Sequence, residues 1–308
     1  MPKVSVRKSI VIDAPLEKVY EFVRNFKEWP AWSPWLITDP ECKVSYADDG
    51  GQYTWEGDVV GAGEMSILSE EKPNEIVYQL TFLKPFKSQA GVAMNFALKG
   101  GGIEVAWSMD SKLPFFLFFM RPMMTAIIGM DYERGLRMLK ELLETGSAGS
   151  KLEFPGEEAM PAQDYVGLRS AASIAEMGEA MEYDMKKLHD WVAANEVELA
   201  GTPFTIYHQW NPTKATTEYT LGFPLGKPLD SLPDGFVAGE RPACRAFPIK
   251  HTGSYCHLGN AWSSGINRAR NKVFRQSKTI APFEIYENSP AEVPEEELET
   301  TVYFPLRD

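Results

Sequence analysis

An acid and a phenol stand two residues apart in the stretch Pro282-Phe283-Glu284-Ile285-Tyr286. Successive side chains of an extended chain point to opposite faces. Phe283 and Ile285 therefore make one apolar face and leave Glu284 and Tyr286 together on the other. Such a pair has three uses. On a solvated strand face it serves solubility alone. Enclosed in an aromatic pocket, the carboxylate attracts cationic or hydrogen-bond-donating lipophilic molecules, because burial strengthens the attraction. If burial also raises its pKa toward neutrality, it becomes a general base with the phenol as hydrogen-bonding partner. Alternation by itself fits all three.

Stronger chemical signatures do not occur in the sequence. GxSxG, a P-loop, GxGxxG after a strand and HExxH are all missing. His189, His208, His251 and His257 have no metal-like spacing with Cys or Asp, so neither a metal nor a cofactor is expected. His251 and His257 flank Tyr255 and are expected at the surface. Cys42, Cys244 and Cys256 form no CxxC pair, which argues against a disulfide framework and suits a reducing cytoplasm.

An internal repeat gives Glu284 a context. Gly201 to Pro212, GTPFTIYHQWNP, shares Pro-Phe-x-Ile-Tyr with Ile280 to Pro290, IAPFEIYENSP. After a polar turn TTEYTLGFPL answers ETTVYFPL, and each copy is preceded by a strand and a helix. Two copies with so long a period make a duplicated domain rather than a solenoid. Thr205 holds the place of Glu284 in the first copy, so a pocket at the seam between copies would carry charge at one end only.

The first half reads differently. DAPLEKVYEFVRNF carries a helical stripe of Val19, Tyr20, Phe22 and Val23, with Asp13 as a candidate cap and Pro15 in the first turn. EIVYQLTFL, VAMNFAL and IEVAWSMD alternate as strands buried on one side. MTAIIGMDYERGLRMLKELLE is a long amphipathic helix that can cover the resulting sheet. The apolar face (Tyr78, Phe82, Phe96, Trp107) and the segment FFLFFMRPMM either surround a hydrophobic cavity or close into a core. Trp29, Trp32 and Trp35 are expected to pack a loop against the sheet edge. Glu144 to Asp164 lacks periodicity and is rich in Gly, Ser, Pro and Glu, the composition of a flexible connection.

The chain has 308 residues and a net charge of -12. That acidity, with no basic run, weighs against nucleic acid or an anionic membrane as a partner. MPKVSVRKSI has no apolar core of a signal peptide. LPFFLFFMRPMMTAIIGM is interrupted by Arg121 and Pro122, short of the roughly 18 apolar residues a membrane span needs. A cytoplasmic location is expected.

From about Asp164 to Arg307 the chain resembles the GyrI-like effector-binding domain, also found at the C-terminal end of multidrug-sensing transcription activators. The doubled Pro-Phe-x-Ile-Tyr, HTGSYCHLGNAW and TTVYFPL carry the likeness. The first half resembles the polyketide cyclase/START-like (SRPBCC) superfamily through VIDAPLEKVYEFVRNFKEWPAWSPW, YTWEGDVVGAGEMSI and DYERGLRMLKELLE. The implied fold is α+β: a helix-grip antiparallel sheet with a long C-terminal helix over residues 1–146, a linker over 147–163, and a pseudo-twofold strand-helix-strand-strand duplication over 164–308. The GyrI-like resemblance implies Glu284 at the floor of a ligand pocket, with Tyr286 flanking it. It further implies Tyr255 and Trp262 from the second helix, Tyr183 from the first, and Trp210 from the turn after the first repeat strand. The second glutamate this family often carries in its last strand is Thr301 here, with Glu299 two residues earlier.

The expected function is that of a cytoplasmic small-molecule-binding protein that senses or sequesters lipophilic compounds, cationic ones included, without a DNA-binding domain of its own. One alternative is a hydrolase of strained electrophiles with Glu284 as general base. Another is a regulator of gyrase-inhibitor type acting on a protein partner.

Overall fold

The computed structural model describes residues 3–113, 115–229 and 231–307. It falls into two compact units, one ending at Ser150 and the other starting at Lys151.

The first unit runs β1 (Lys3–Ile12), α1 (Leu16–Arg24), β2 (Lys43–Tyr46), β3 (Gln52–Gly57), β4 (Gly61–Glu71), β5 (Glu75–Lys84), β6 (Ser88–Lys99), β7 (Gly102–Lys112) and α2 (Arg121–Thr145). The strands form one antiparallel sheet in the order β1-β7-β6-β5-β4-β3-β2. The alternating side chains Ile76, Tyr78, Val92, Met94, Phe96, Val105 and Trp107 share one buried cluster with Tyr132, Leu136 and Leu139 of α2. The long helix therefore covers the apolar face that the alternation creates. It ends at Gly146, whose φ of 87° admits the left-handed cap that closes the last turn onto Leu142.

Three expectations change here. Pro15, not Asp13, occupies the N-cap of α1; the Asp13 amide instead donates to Glu144 Oε1. Trp29 and Trp32 lie in the core rather than at a sheet edge, in ring contact with each other and with Trp107. An interior that needs large apolar volume gains more from two indoles than an edge does. Phe116, Phe118 and Phe119 are exposed and line no interior.

The second unit begins inside the stretch expected as a linker. β8 (Ser150–Glu153) and β9 (Glu158–Met160) both join β14 (Cys244–Gly253), so residues 147–163 are partly sheet. Strands of three or four residues at a sheet margin are held by pairing, not by composition, and leave little periodicity to read. The rest runs β10 (Gln163–Ser173), α3 (Met177–Ala194), β11 (Phe204–Asn211), β12 (Thr216–Pro224), β13 (Val237–Arg241), then β14, α4 (Gly259–Arg270), β15 (Phe283–Tyr286) and β16 (Glu299–Pro305).

The strand order is β13-β10-β12-β11-β15-β16-β14-β8. Its centre is palindromic: first, third and second strands of one copy meet second, third and first of the other. The two copies touch where β11 pairs antiparallel with β15, and there Thr205 lies directly opposite Glu284. On one face α3 lays Met181, Met185, Leu188 and Val192 over the first copy, while α4 lays Ala261 over the second and Trp262 over both. His251 and His257, expected at the surface, are buried; burial and its neighbour His257 hold the His251 imidazole down at about 4, so it is neutral near pH 7.

Gly265 sets how closely α4 approaches the sheet, because a Cβ there would lie 2.0 Å from the Phe304 ring. Gly265→Ala is expected to lower stability by about 1–3 kcal/mol through overpacking. Chemical denaturation checks this, and an unchanged midpoint would mean that Phe304 moves aside freely.

Candidate functional site

β15 is only four residues long, yet its period of two sorts its side chains completely. Phe283 joins a cluster on the face away from the helices. Glu284 and Tyr286 face α3 and α4. Because β11 pairs with β15 across the seam, Thr205 and Tyr207 share that face. The doubled sequence thus supplies two tyrosines to one carboxylate.

Glu284 is 1% exposed. Its Oε1 accepts from the hydroxyls of Tyr207 at 2.9 Å and Tyr286 at 2.7 Å, and its Oε2 accepts from Trp262 Nε1 at 2.7 Å. Tyr286 spends its proton on Glu284, so the 2.8 Å contact with Thr205 has the threonine hydroxyl donating. The Tyr207 ring meets Trp262 edge-on at 4.8 Å. Every donor to the carboxylate is neutral, and among the described residues no Lys, Arg or His pairs with it. Burial pushes the Glu284 pKa up, and the bonds from Tyr286, Trp262 and Tyr207 only partly oppose it. The same burial, together with the carboxylate beside them, raises both phenols well above their usual value, so they remain donors.

The six sequence-derived candidates do not all converge. Glu284, Tyr286 and Trp262 form one hydrogen-bonded group. Tyr255 stands at its margin, 38% exposed, with its ring 5.7 Å from that of Tyr286. Tyr183 is 67% exposed. The buried side of α3 runs through Asp184, Leu188 and Val192, and Tyr183 falls outside that stripe. Trp210 is 42% exposed, beyond an irregularity in β11 after Tyr207 that turns the strand end toward solvent. Thr301 and Glu299 belong to the opposite face, because β16 sets Val302 against Glu284 and Thr300 against Tyr286.

Three further residues belong to this neighbourhood. Tyr207 had a signal, as the repeat mate of Tyr286. Thr300 is wholly buried with its hydroxyl unpartnered, on the Glu284 face. Asp184 of α3, also buried, accepts from Tyr219 at 2.9 Å, and Tyr219 pairs with Tyr207 across β12 and β11.

Residues 3–144 match the family model of polyketide cyclase/dehydrase and lipid transport, and residues 155–307 match that of the GyrI-like small molecule binding domain. The chain joins these two domain families. Its GyrI-like half carries the Glu284 group. No curated protein matches the chain. Among solved structures it is similar to the EcmrR–DNA complex seen by cryo-EM, at 14% identity and TM-score 0.45. That match covers 61% of this chain and 66% of the other, just under two thirds. The crystal structure of the EcmrR C-terminal domain matches at 15% identity and TM-score 0.44, over 52% of this chain and 98% of that one. The crystal structure of CV1439 from Chromobacterium violaceum matches at 19% identity and TM-score 0.35, over 46% and 97%.

A carboxyl group whose pKa is higher folded than unfolded keeps its proton longer in the native state. Its contribution to stability is present at low pH and is lost as pH rises through the folded value. The melting temperature of the wild type relative to Glu284→Gln should therefore fall as pH climbs from the ordinary carboxyl range toward neutrality. Parallel pH profiles for the two proteins would show that Glu284 titrates normally.

Proposed function

We propose that the GyrI-like half binds lipophilic, cationic or hydrogen-bond-donating small molecules at Glu284, and that the protein senses or sequesters such compounds in the cytoplasm without binding DNA itself. The observation that carries this is a buried carboxylate held by three neutral donors and no counter-charge. A buried anion without a cation is costly to the fold, and a cationic ligand removes that cost as it binds. Tyr207, Tyr286, Tyr255 and Trp262 supply aromatic faces for a planar cation. Met181 and Met185 bring adaptable thioethers to the same helix-covered cluster, and Thr300 offers a free hydroxyl. The net charge of -12 favours cations at longer range and disfavours nucleic acid. No helix among the described residues is long and apolar enough to cross a membrane.

The test uses N-methylquinolinium and its neutral isostere 1-methylnaphthalene on the full chain. The cation should stabilise the wild type more than the isostere does, and Glu284→Gln should weaken it by about 30-fold or more, equivalent to about 2 kcal/mol. Affinity for the cation should grow with pH as Glu284 loses its proton. Equal thermal shifts in wild type and Glu284→Gln would remove Glu284 from binding.

The raised Glu284 pKa supports a second reading, hydrolysis of strained electrophiles with Glu284 as general base. Water would lose its proton to Glu284 as its oxygen bonds to the electrophilic carbon. The strained carbon–heteroatom bond breaks, and the released heteroatom takes up the proton Glu284 gained, while a tyrosine hydroxyl steadies the carboxylate. Turnover that vanishes in Glu284→Gln while binding persists would favour this reading. Turnover that survives would exclude it.

A further inference from the structure

The reverse face of the GyrI-like sheet holds a second isolated charge. Arg241 ends β13, and only Pro242 and Ala243 separate it from Cys244 at the start of β14. Three chain links reach at most about 11 Å, yet β13 and β14 lie toward opposite ends of the strand order. The sheet must therefore curl until those strands approach, and its face away from α3 and α4 becomes an interior. Tyr165, Phe204, Ile206, Ala246, Phe283 and Tyr303 fill it.

The Arg241 guanidinium lies among them, 4.5 Å from the ring centroid of Phe283 and 5.4 Å from that of Phe204. These are the two phenylalanines of the doubled Pro-Phe-x-Ile-Tyr. Arg241 thus sits over the same β11–β15 seam as Glu284, on its other side. The two residues break the pseudo-twofold symmetry with opposite charges on opposite faces.

Arg241 is 6% exposed, and its Nε and Nη1 have no hydrogen-bond partner. Among the described residues no carboxylate pairs with it; the groups that feel its charge are the Cys244 thiol and the Tyr303 phenol. Stacking on aromatic rings satisfies the flat faces of a guanidinium but leaves its N–H edges in need of acceptors. Neighbours do not meet that need: the thiol is a weak acceptor, and the Tyr303 hydroxyl, which donates to Glu158, accepts from neither Nε nor Nη1. A depression of about 280 Å³ on this face shares Tyr303 with the cradle, but its lining carries Glu158, Glu287, Glu299 and Lys250 and does not include Arg241, so the oxyanion is held at the guanidinium and not in that depression.

We propose that Arg241 anchors an oxyanion, a carboxylate or phosphate group of a small ligand, on the face of the sheet opposite Glu284. A delocalised oxyanion offers paired acceptors that match a planar guanidinium, and an aromatic cradle strengthens the contact by excluding water. This site selects the charge that the Glu284 site rejects, and it stands whether or not Glu284 binds cations.

The full chain and its Arg241→Met variant are melted against increasing inorganic phosphate and, separately, acetate, with ionic strength held constant by sodium chloride. The wild type should show a saturable, concentration-dependent rise in melting temperature with at least one anion, and Arg241→Met should show none. A rise with phosphate alone points to a phosphorylated ligand, and one with acetate alone to a carboxylate. Should Arg241→Met fail to fold, Arg241→Lys keeps the charge without the planar donor set and should lose about tenfold or more in anion affinity. No saturable rise in the wild type, or an equal one in the variant that folds, overturns the proposal.

Discussion

The pairing of β11 with β15 is the contact on which the second unit depends. Each strand is the second of its repeat copy and lies at that copy's inner edge, and neither copy can bury both of its faces alone. Their antiparallel pairing aligns Thr205 with Glu284, Phe204 with Ile285 and Ile206 with Phe283. A one-residue slip would turn every side chain to the other face, placing phenylalanines under the helices and the carboxylate in the aromatic cradle. Register and site are thus the same specification. The palindromic strand order, the positions of α3 and α4, and the meeting of two tyrosines on one carboxylate all follow from it.

Much of this was legible because strand and helix periods are short and local. The one-sided alternation of Ile76, Tyr78 and Leu80, or of Val105, Trp107 and Met109, announces a sheet with one covered face. The doubled Pro-Phe-x-Ile-Tyr announces a duplication. The face of Glu284 could be assigned from its neighbours alone, but its enclosure could not, since solvated and buried carboxylates share the same alternation. Enclosure depends on Trp262, Tyr207 and the helices, which meet only through long-range pairing.

Where residues lie apart from the Glu284 group or away from the expected edge, the reasons are physical. Tyr183 holds the related place on the first helix, but 100° of rotation per residue decides side, and it falls off the buried stripe of α3. Trp210 lies past a strand irregularity that no local pattern marks. The resemblance sets Thr301 at the place of the family's second glutamate, with Glu299 two residues earlier, but parity across the ladder decides face, and β16 turns both away from Glu284. Trp29 and Trp32 stand in a segment without helix or strand periodicity, which reads as loop against an edge. Loops, too, can deliver their largest side chains to a core.

Stability alone gives no account of Glu284. Its mate Thr205 shows that the same seam accepts a small neutral residue on the same face, hydrogen-bonded to the same Tyr286. A glutamine there would accept from both tyrosines through its amide oxygen without the cost of a buried charge, and would leave only the Trp262 N–H without an acceptor. The seam instead carries a carboxylate whose ionisation the surroundings resist, surrounded by donors that cannot neutralise it. Such an arrangement costs stability in the empty protein and returns it only when something positive or strongly donating arrives. A group that weakens the fold in isolation and strengthens it in company belongs to binding, and the symmetry of the repeat, broken where Glu284 replaces Thr205, marks where that company sits.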